Sequence, residues 1–274
     1  MLLSATRAAT ETDELASIIY EQWAVLTLFR FLVALDWQPI DASLLERNLF
    51  DGYDVRIQRG KPWEFRRAGN SLFFYYEPEL HWVKTGAGQY DDQYPHALAN
   101  EQIWKVSEPA LFHTWNYRTP DFALWFKLAN GNHSLVIGDA LFCPIGDEDA
   151  PRFEDGAPVW PSASAQARFE GKWRLQGKLS KVRDDYSANS FLLSSGGATR
   201  AARHLGFVLY PGAAGSERWV GEIEKGVVAF PLLPDIENRG NDVQGEAAAL
   251  ERFEQLLAAA LAAATAPDPR PQGK

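Results

Sequence analysis

Cysteine is almost absent from this chain of 274 residues: Cys143 stands alone. That excludes a disulfide framework, and no Cys/His cluster has the spacing of a zinc site. A reducing, cytoplasmic compartment is the expectation. Basic residues are also in deficit, with 27 Lys and Arg against 36 Asp and Glu and a net charge of −9. A surface basic all over, the kind that attracts nucleic acid everywhere, is therefore excluded, and only local basic patches remain. The start of the chain, Met1 to Arg7, lacks a basic region followed by an apolar stretch, so no signal peptide is expected. Long apolar runs are missing too. The most apolar one, Trp23 to Leu35, is interrupted by Thr27 and Arg30 and falls short of the roughly 20 residues of a membrane span. It reads as a core helix, with no membrane partner expected. No internal repeat is visible. What the chain does have is apolar material, 46% hydrophobic against 23% charged residues, which excludes a disordered polymer. Its 10 Trp, 9 Tyr and 16 Phe are in the main core-packing residues.

Helical spacing of Leu15, Ile18, Ile19, Trp23, Leu26 and Phe29, after the acids Asp13 and Glu14, predicts one helix over 12–36. Strand character runs from Tyr53 to Val83, with a dense aromatic stretch from Ser71 to Tyr76 closed by Glu77-Pro78. Residues 84–110 read as loops with a short helix near His96 to Glu101. Asp121 to Leu128 and Ser134 to Phe142 flank Asn130-Gly131-Asn132 and predict a hairpin. An exposed loop is expected over 146–163, a helix from Lys172 to Phe191, and a helical turn over Thr199 to His204. Strands are expected at Leu205 to Tyr210 and Val227 to Leu233, then a helix from Glu246 to Ala264. The economical organisation is an N-terminal extension (1–11), one α/β domain (12–234), a C-terminal helical segment (235–266) and a disordered tail (267–274).

Three acids sit where a carboxylate is costly. Glu21 has Ser17, Ile18, Ala24 and Val25 as its helical neighbours. Asp121 follows Pro120 and opens an apolar strand, and Asp139 lies inside the other hairpin strand. A turn between the two aspartates lets them meet at one end of the hairpin. Taken singly, each has an ordinary explanation: Asp after Pro is a turn residue, and a helical Glu is usually paired with a cation. Together, three carboxylates in one low-dielectric corner call for a hard divalent cation, Mg²⁺ or Mn²⁺, which activates water and stabilises a phosphodiester leaving oxygen.

These segments resemble the PD-(D/E)xK nuclease superfamily, and within it McrC-like nucleases of modification-dependent restriction systems. Tyr20-Glu21-Gln22-Trp23 is similar to the first-helix element, Tyr117 to Leu124 to the Pro-Asp strand, and Val136 to Ala140 to the segment that normally continues Asp-Ala-Lys. Gly206 to Gly212 and Gly226 to Pro234 resemble the late strands. The resemblance implies an α/β fold with a restriction-endonuclease-like core, a mixed central sheet flanked by helices. It further implies a Mg²⁺-dependent DNA endonuclease, or a nuclease-derived subunit, of a prokaryotic defence system, and an AAA+ NTPase partner whose association is expected to differ or to be absent, because the family's N-terminal docking region is not seen in this sequence. Glu21, Asp121 and Asp139 would be the metal ligands. Leu141 stands at the catalytic-lysine position, so the lysine has moved, to Lys178 or Lys181, or the fold is an inactive scaffold that binds DNA or a partner. Tyr186 is the expected aromatic support on that helix, whereas Lys127 lies too far along its strand.

Two basic stretches, Lys172, Arg174, Lys178, Lys181 and Arg183, and Arg56, Arg59, Lys61, Arg66 and Arg67, are candidates for a phosphate-tracking groove. Such runs are ordinarily solvated faces. Trp63 and Trp173 lie inside them, placed to stack on exposed bases.

Overall fold

The computed structural model describes residues 2–40, 57, 59–83, 96–98, 112–143, 152–154, 157–159, 162–183, 190–194, 197–200, 204–211, 226–232 and 243–265. It is a mixed α/β protein. Its centre is a seven-stranded sheet in the order β1-β2-β3-β7-β8-β13-β14, formed by Gln38–Pro39 (β1), Pro62–Arg67 (β2), Asn70–Tyr76 (β3), Phe122–Lys127 (β7), His133–Ala140 (β8), His204–Tyr210 (β13) and Val227–Pro231 (β14). From β1 to β8 every pairing is antiparallel, and the last two, β8 with β13 and β13 with β14, are parallel.

Among the described residues, three helices cover this sheet. Helix α1 (Leu2–Ala34) runs without a break through residue 11, so the expected extension is continuous with it. It shares one face with α3 (Val243–Thr265): Leu28, Leu32 and Phe253 pack with Phe122, Leu124, Phe126, Val136 and Phe207 in one buried cluster. The opposite face belongs to α2 (Ala163–Ser180), whose Leu175, with Val182 just beyond it, packs with Ala123, Leu135, Ile137 and Val208. Strands covered on both faces read as continuous apolar runs, which is why β7 and β8 show no polar alternation. By length and composition alone Leu15–Ala34 is a 20-residue candidate span, longer than the run noted in the sequence. In the fold its Ala24, Val25, Leu28 and Leu32 are buried in the core, and the Tyr20 hydroxyl donates to the Leu232 carbonyl at 2.8 Å.

A second sheet of five strands has the order β12-β11-β5-β4-β6, from Leu80–Val83 (β4), His96–Leu98 (β5), Phe112–Arg118 (β6), Ser190–Ser194 (β11) and Gly197–Arg200 (β12). Arg152–Glu154 (β9) and Ala157–Val159 (β10) form a separate hairpin. Several expectations are corrected here. His96–Leu98 is a strand, not the start of a helix; 152–159 holds a hairpin inside the expected loop; Gly197–Arg200 is a strand. Helix α2 begins nine residues before Lys172 and ends at Ser180, so Phe191 lies in β11. The strand character expected from Tyr53 to Val83 is met by β2, β3 and β4; residues 53–56 and 58, part of the 84–110 segment and the tail from 267 lie outside the described residues.

The two sheets are joined by one interrupted ladder. Tyr76 pairs with Phe122 where β3 meets β7, and Leu80 pairs with Arg118 where β4 meets β6, in the same register. Carried through the gap, that register sets Pro78 opposite Pro120, both buried. Neither has an N–H to give to a ladder, so the pairing stops where the chain crosses between sheets.

Candidate active site

The carboxylates gather at this gap. Phe122 pairs with Gly138 across β7 and β8, so the next residue out on each strand, Asp121 and Asp139, face one another. The register of β3 with β7 likewise places Glu77 beside Asp121, and the Glu77 N–H donates to the Asp121 carbonyl at 2.8 Å. Glu77, Asp121 and Asp139 thus form one row across three neighbouring strands. Asp121 turns a side-chain oxygen, Oδ2, to the Ala140 N–H at 2.5 Å. Asp139 lies on the α2 face, in step with Leu135 and Ile137, and is 1% exposed.

Helix α2 brings the compensating charge. Lys178, in its last turn, places Nζ 2.7 Å from Asp139 Oδ2, where a cation also suits the helix C-terminus. Lys181 lies farther, at 4.0 Å from the same oxygen, on a more exposed side chain. Burial works against the Lys178 ammonium, but Asp139 and Asp121 more than offset it and raise its pKa. Asp121 is pushed well above the ordinary aspartate range, first by burial, then by the neighbouring Asp139 charge and the hydrogen bond between the two carboxyls; Lys178 pulls the other way. Burial and the adjacent carboxylate thus favour the protonated form of Asp121.

Glu21 approaches from α1. Its carboxylate accepts from Ser17 Oγ at 3.2 Å. Burial raises its pKa; Ser17 and Lys178 oppose that, and the charges of Glu77 and Asp139 add to it. It is within electrostatic range, yet the expected convergence of Glu21, Asp121 and Asp139 on a single ion is not formed: among the described residues no three His, Cys, Asp or Glu side chains are grouped to hold a metal. The two aspartates meet, and the glutamate stands off.

Of the residues expected to meet DNA, Arg59, Lys61, Arg174 and Arg183 are exposed, and Arg59 pairs through Nε with Glu77 at 2.9 Å. The side chain of Lys172 and the whole of Arg56 and Tyr186 lie outside the described residues. Trp63 corrects an expectation. It is 4% exposed, packed against Phe29 and Phe74, because Trp63 and Phe65 alternate inward while Arg66 points out. Trp173 is 64% exposed. Lys127 is exposed and pairs across the ladder with His133, at the far end of the hairpin.

Sequence reasoning missed Glu77, treating Glu77-Pro78 only as the end of a strand. Comparisons with protein-family models, with curated proteins and with solved structures each find no match to this chain.

Proposed function

We propose that the chain is a restriction-endonuclease-like, metal-dependent DNA endonuclease, or a nuclease-derived subunit, of a prokaryotic defence system. The observation that carries this reading is the Lys178 ammonium 2.7 Å from Asp139. The charge that Leu141 cannot supply from the strand is supplied across the fold from α2. The hairpin, with its two aspartates at one end and a helix bordering them, agrees with the resemblance carried by the sequence motifs. A cytoplasmic setting and an AAA+ NTPase partner belong to the same proposal.

The donor set suits Mg²⁺ or Mn²⁺. Two adjacent carboxylates offer hard oxygen ligands whose repulsion a divalent cation relieves. Asp121 and Asp139 would hold it, with Glu21 adding negative charge from the rim. When bound, such an ion acidifies water and stabilises charge on a leaving oxygen. Lys178, kept protonated by its neighbours, is an electrostatic and positioning group for the phosphate, not a base. Asp121, accepting from the Ala140 N–H, fixes the hairpin end that carries Asp139.

The second reading is a scaffold without catalysis, favoured by Leu141 and by a Lys178–Asp139 pair that would stabilise an inactive fold equally well. Plasmid cleavage with Mn²⁺ separates the two. Under the nuclease reading wild type cuts, Asp139→Asn and Lys178→Met do not, and Lys181→Ala retains activity. Absence of cleavage with any divalent ion, alone or with the neighbouring gene products, establishes the scaffold reading. Full activity in Lys178→Met overturns the relocated lysine.

A further inference from the structure

We propose that Glu77 is a positioning residue that presents Arg59 to a backbone phosphate of the DNA strand entering the site; this rests on the nuclease reading above. Four observations converge on the pair. First, Glu77 sits in the same row as Asp121 and Asp139, its N–H on the Asp121 carbonyl, so whatever it holds is held beside the aspartates. Second, its backbone is left-handed, with φ of 42°, in a residue that precedes proline. Such a conformation persists in a non-glycine residue only where its surroundings impose it, and it gathers at functional sites. Third, the carboxylate is mostly enclosed: its side chain is 17% exposed against 69% for Arg59, and the Tyr76 hydroxyl also hydrogen-bonds to it. Fourth, Arg59 is anchored from both ends, since the following residue, Gly60, donates its N–H to the Tyr76 carbonyl at 2.8 Å, one residue from Glu77.

The chemistry follows from which nitrogen is used. Glu77 takes Arg59 at Nε. The guanidinium side chain is 69% exposed and carries two further donor groups, Nη1 and Nη2. Those groups form the edge that grips phosphate in a fork. A carboxylate at Nε fixes the plane of the guanidinium and removes much of the ordering that binding would otherwise require. Arg66 differs: Glu64 takes both its Nε and its Nη2, each at 3.1 Å, so part of its phosphate-gripping edge is already occupied.

The proposal makes a prediction opposite in sign to simple electrostatics. Removing a negative charge near DNA ordinarily tightens binding. Here Glu77→Gln loosens it, because Arg59 loses its brace. The measurement is fluorescence anisotropy of the full chain with a labelled DNA duplex in Ca²⁺, over a series of salt concentrations. Arg59→Ala is expected to weaken binding about tenfold and to lower the log–log salt slope by about 0.9, one phosphate contact. Glu77→Gln is expected to weaken binding about threefold in wild type and not at all in the Arg59→Ala background, a coupling that a merely structural role would not produce. Arg66→Ala serves as the comparison and should leave the slope nearer wild type. Tighter or unchanged binding in Glu77→Gln overturns the proposal while leaving the nuclease reading in place. If Glu77→Gln does not fold, Arg59→Ala decides alone, because an unchanged salt slope in that variant overturns the proposal. Wild-type protein that neither binds nor cuts DNA removes both readings.

Discussion

Replacing Lys178 by Met asks how much of the fold depends on one ammonium. Asp139 is 1% exposed, and its Oδ2 sits 2.7 Å from Lys178 Nζ. Removing one partner of a buried pair typically costs about 3–5 kcal/mol, because the other charge stays behind uncompensated. Two features reduce that figure here. The Lys178 side chain is 29% exposed, and Lys181 is already 4.0 Å from the same oxygen, able to close in. An expected loss of about 2 kcal/mol remains, which for a chain of this size lowers Tm by about 4–8 °C. Thermal unfolding followed by circular dichroism, with chelator at neutral pH, measures it. Lys178→Met combined with Asp139→Asn should be more stable than Lys178→Met alone, since the stranded charge is gone. A Tm within about 1 °C of wild type in the single variant would show that the ammonium is not seated on Asp139, and would withdraw the support for the relocated lysine.

The raised pKa of Asp121 gives a pH dependence. Because the folded-state pKa of Asp121 is raised, its contribution is fully present below the unfolded value of about 3.9 and is lost as pH rises through the folded value. In chelator, the urea midpoint of wild type relative to Asp121→Asn should fall as pH rises above about 4; a difference that stays flat refutes the shift. Gly138→Ala should be disabling for a separate reason. A Cβ there would lie 2.2 Å from Cζ of Phe207, a buried ring stacked on Phe122 with centroids 5.8 Å apart. Overpacking of this kind costs about 1–3 kcal/mol. Gly138→Ala with Phe207→Leu should recover part of the lost Tm, and no loss in the single variant would show that the ring yields freely.

The hairpin was legible because two local signals agree: Asn130-Gly131-Asn132 supplies a turn, with Gly131 at a φ of 84°, and both flanking runs are apolar. The same register then brought Asp121 to Asp139 without any long-range information. Lys178 was legible as one of two candidates, but choosing between it and Lys181 depends on how α2 lies across the sheet, which no local spacing encodes. Trp63 could have been placed correctly from its two-residue alternation with Phe65; the basic neighbours drew attention instead. Glu77 was hidden because its importance is a matter of pairing. A Glu before a Pro at a strand end looks like an ordinary stop until β7 is laid alongside β3. The strands of the second sheet are short, and β5 pairs with β11 from 190–194, a partner about a hundred residues away that leaves no periodic trace in either segment.

The facing prolines at the interrupted ladder have a consequence for how such a chain can change. Because the register of β3 with β7 continues into the first pairs of β4 with β6, Leu80 with Arg118 and His81 with Tyr117, before it shifts beyond His81, β4 and β6 are an outgrowth of a single hairpin. The seven-stranded sheet does not need that outgrowth to close its own ladder. Insertions and deletions there can therefore accumulate without sliding Asp121 past Asp139. The prolines work as a firebreak: a register error that arises in the outgrowth has no N–H at Pro78 or Pro120 through which to propagate inward. A change of pairing in β4 or β6 is thereby kept from the carboxylates, which lie on the inner side of the break.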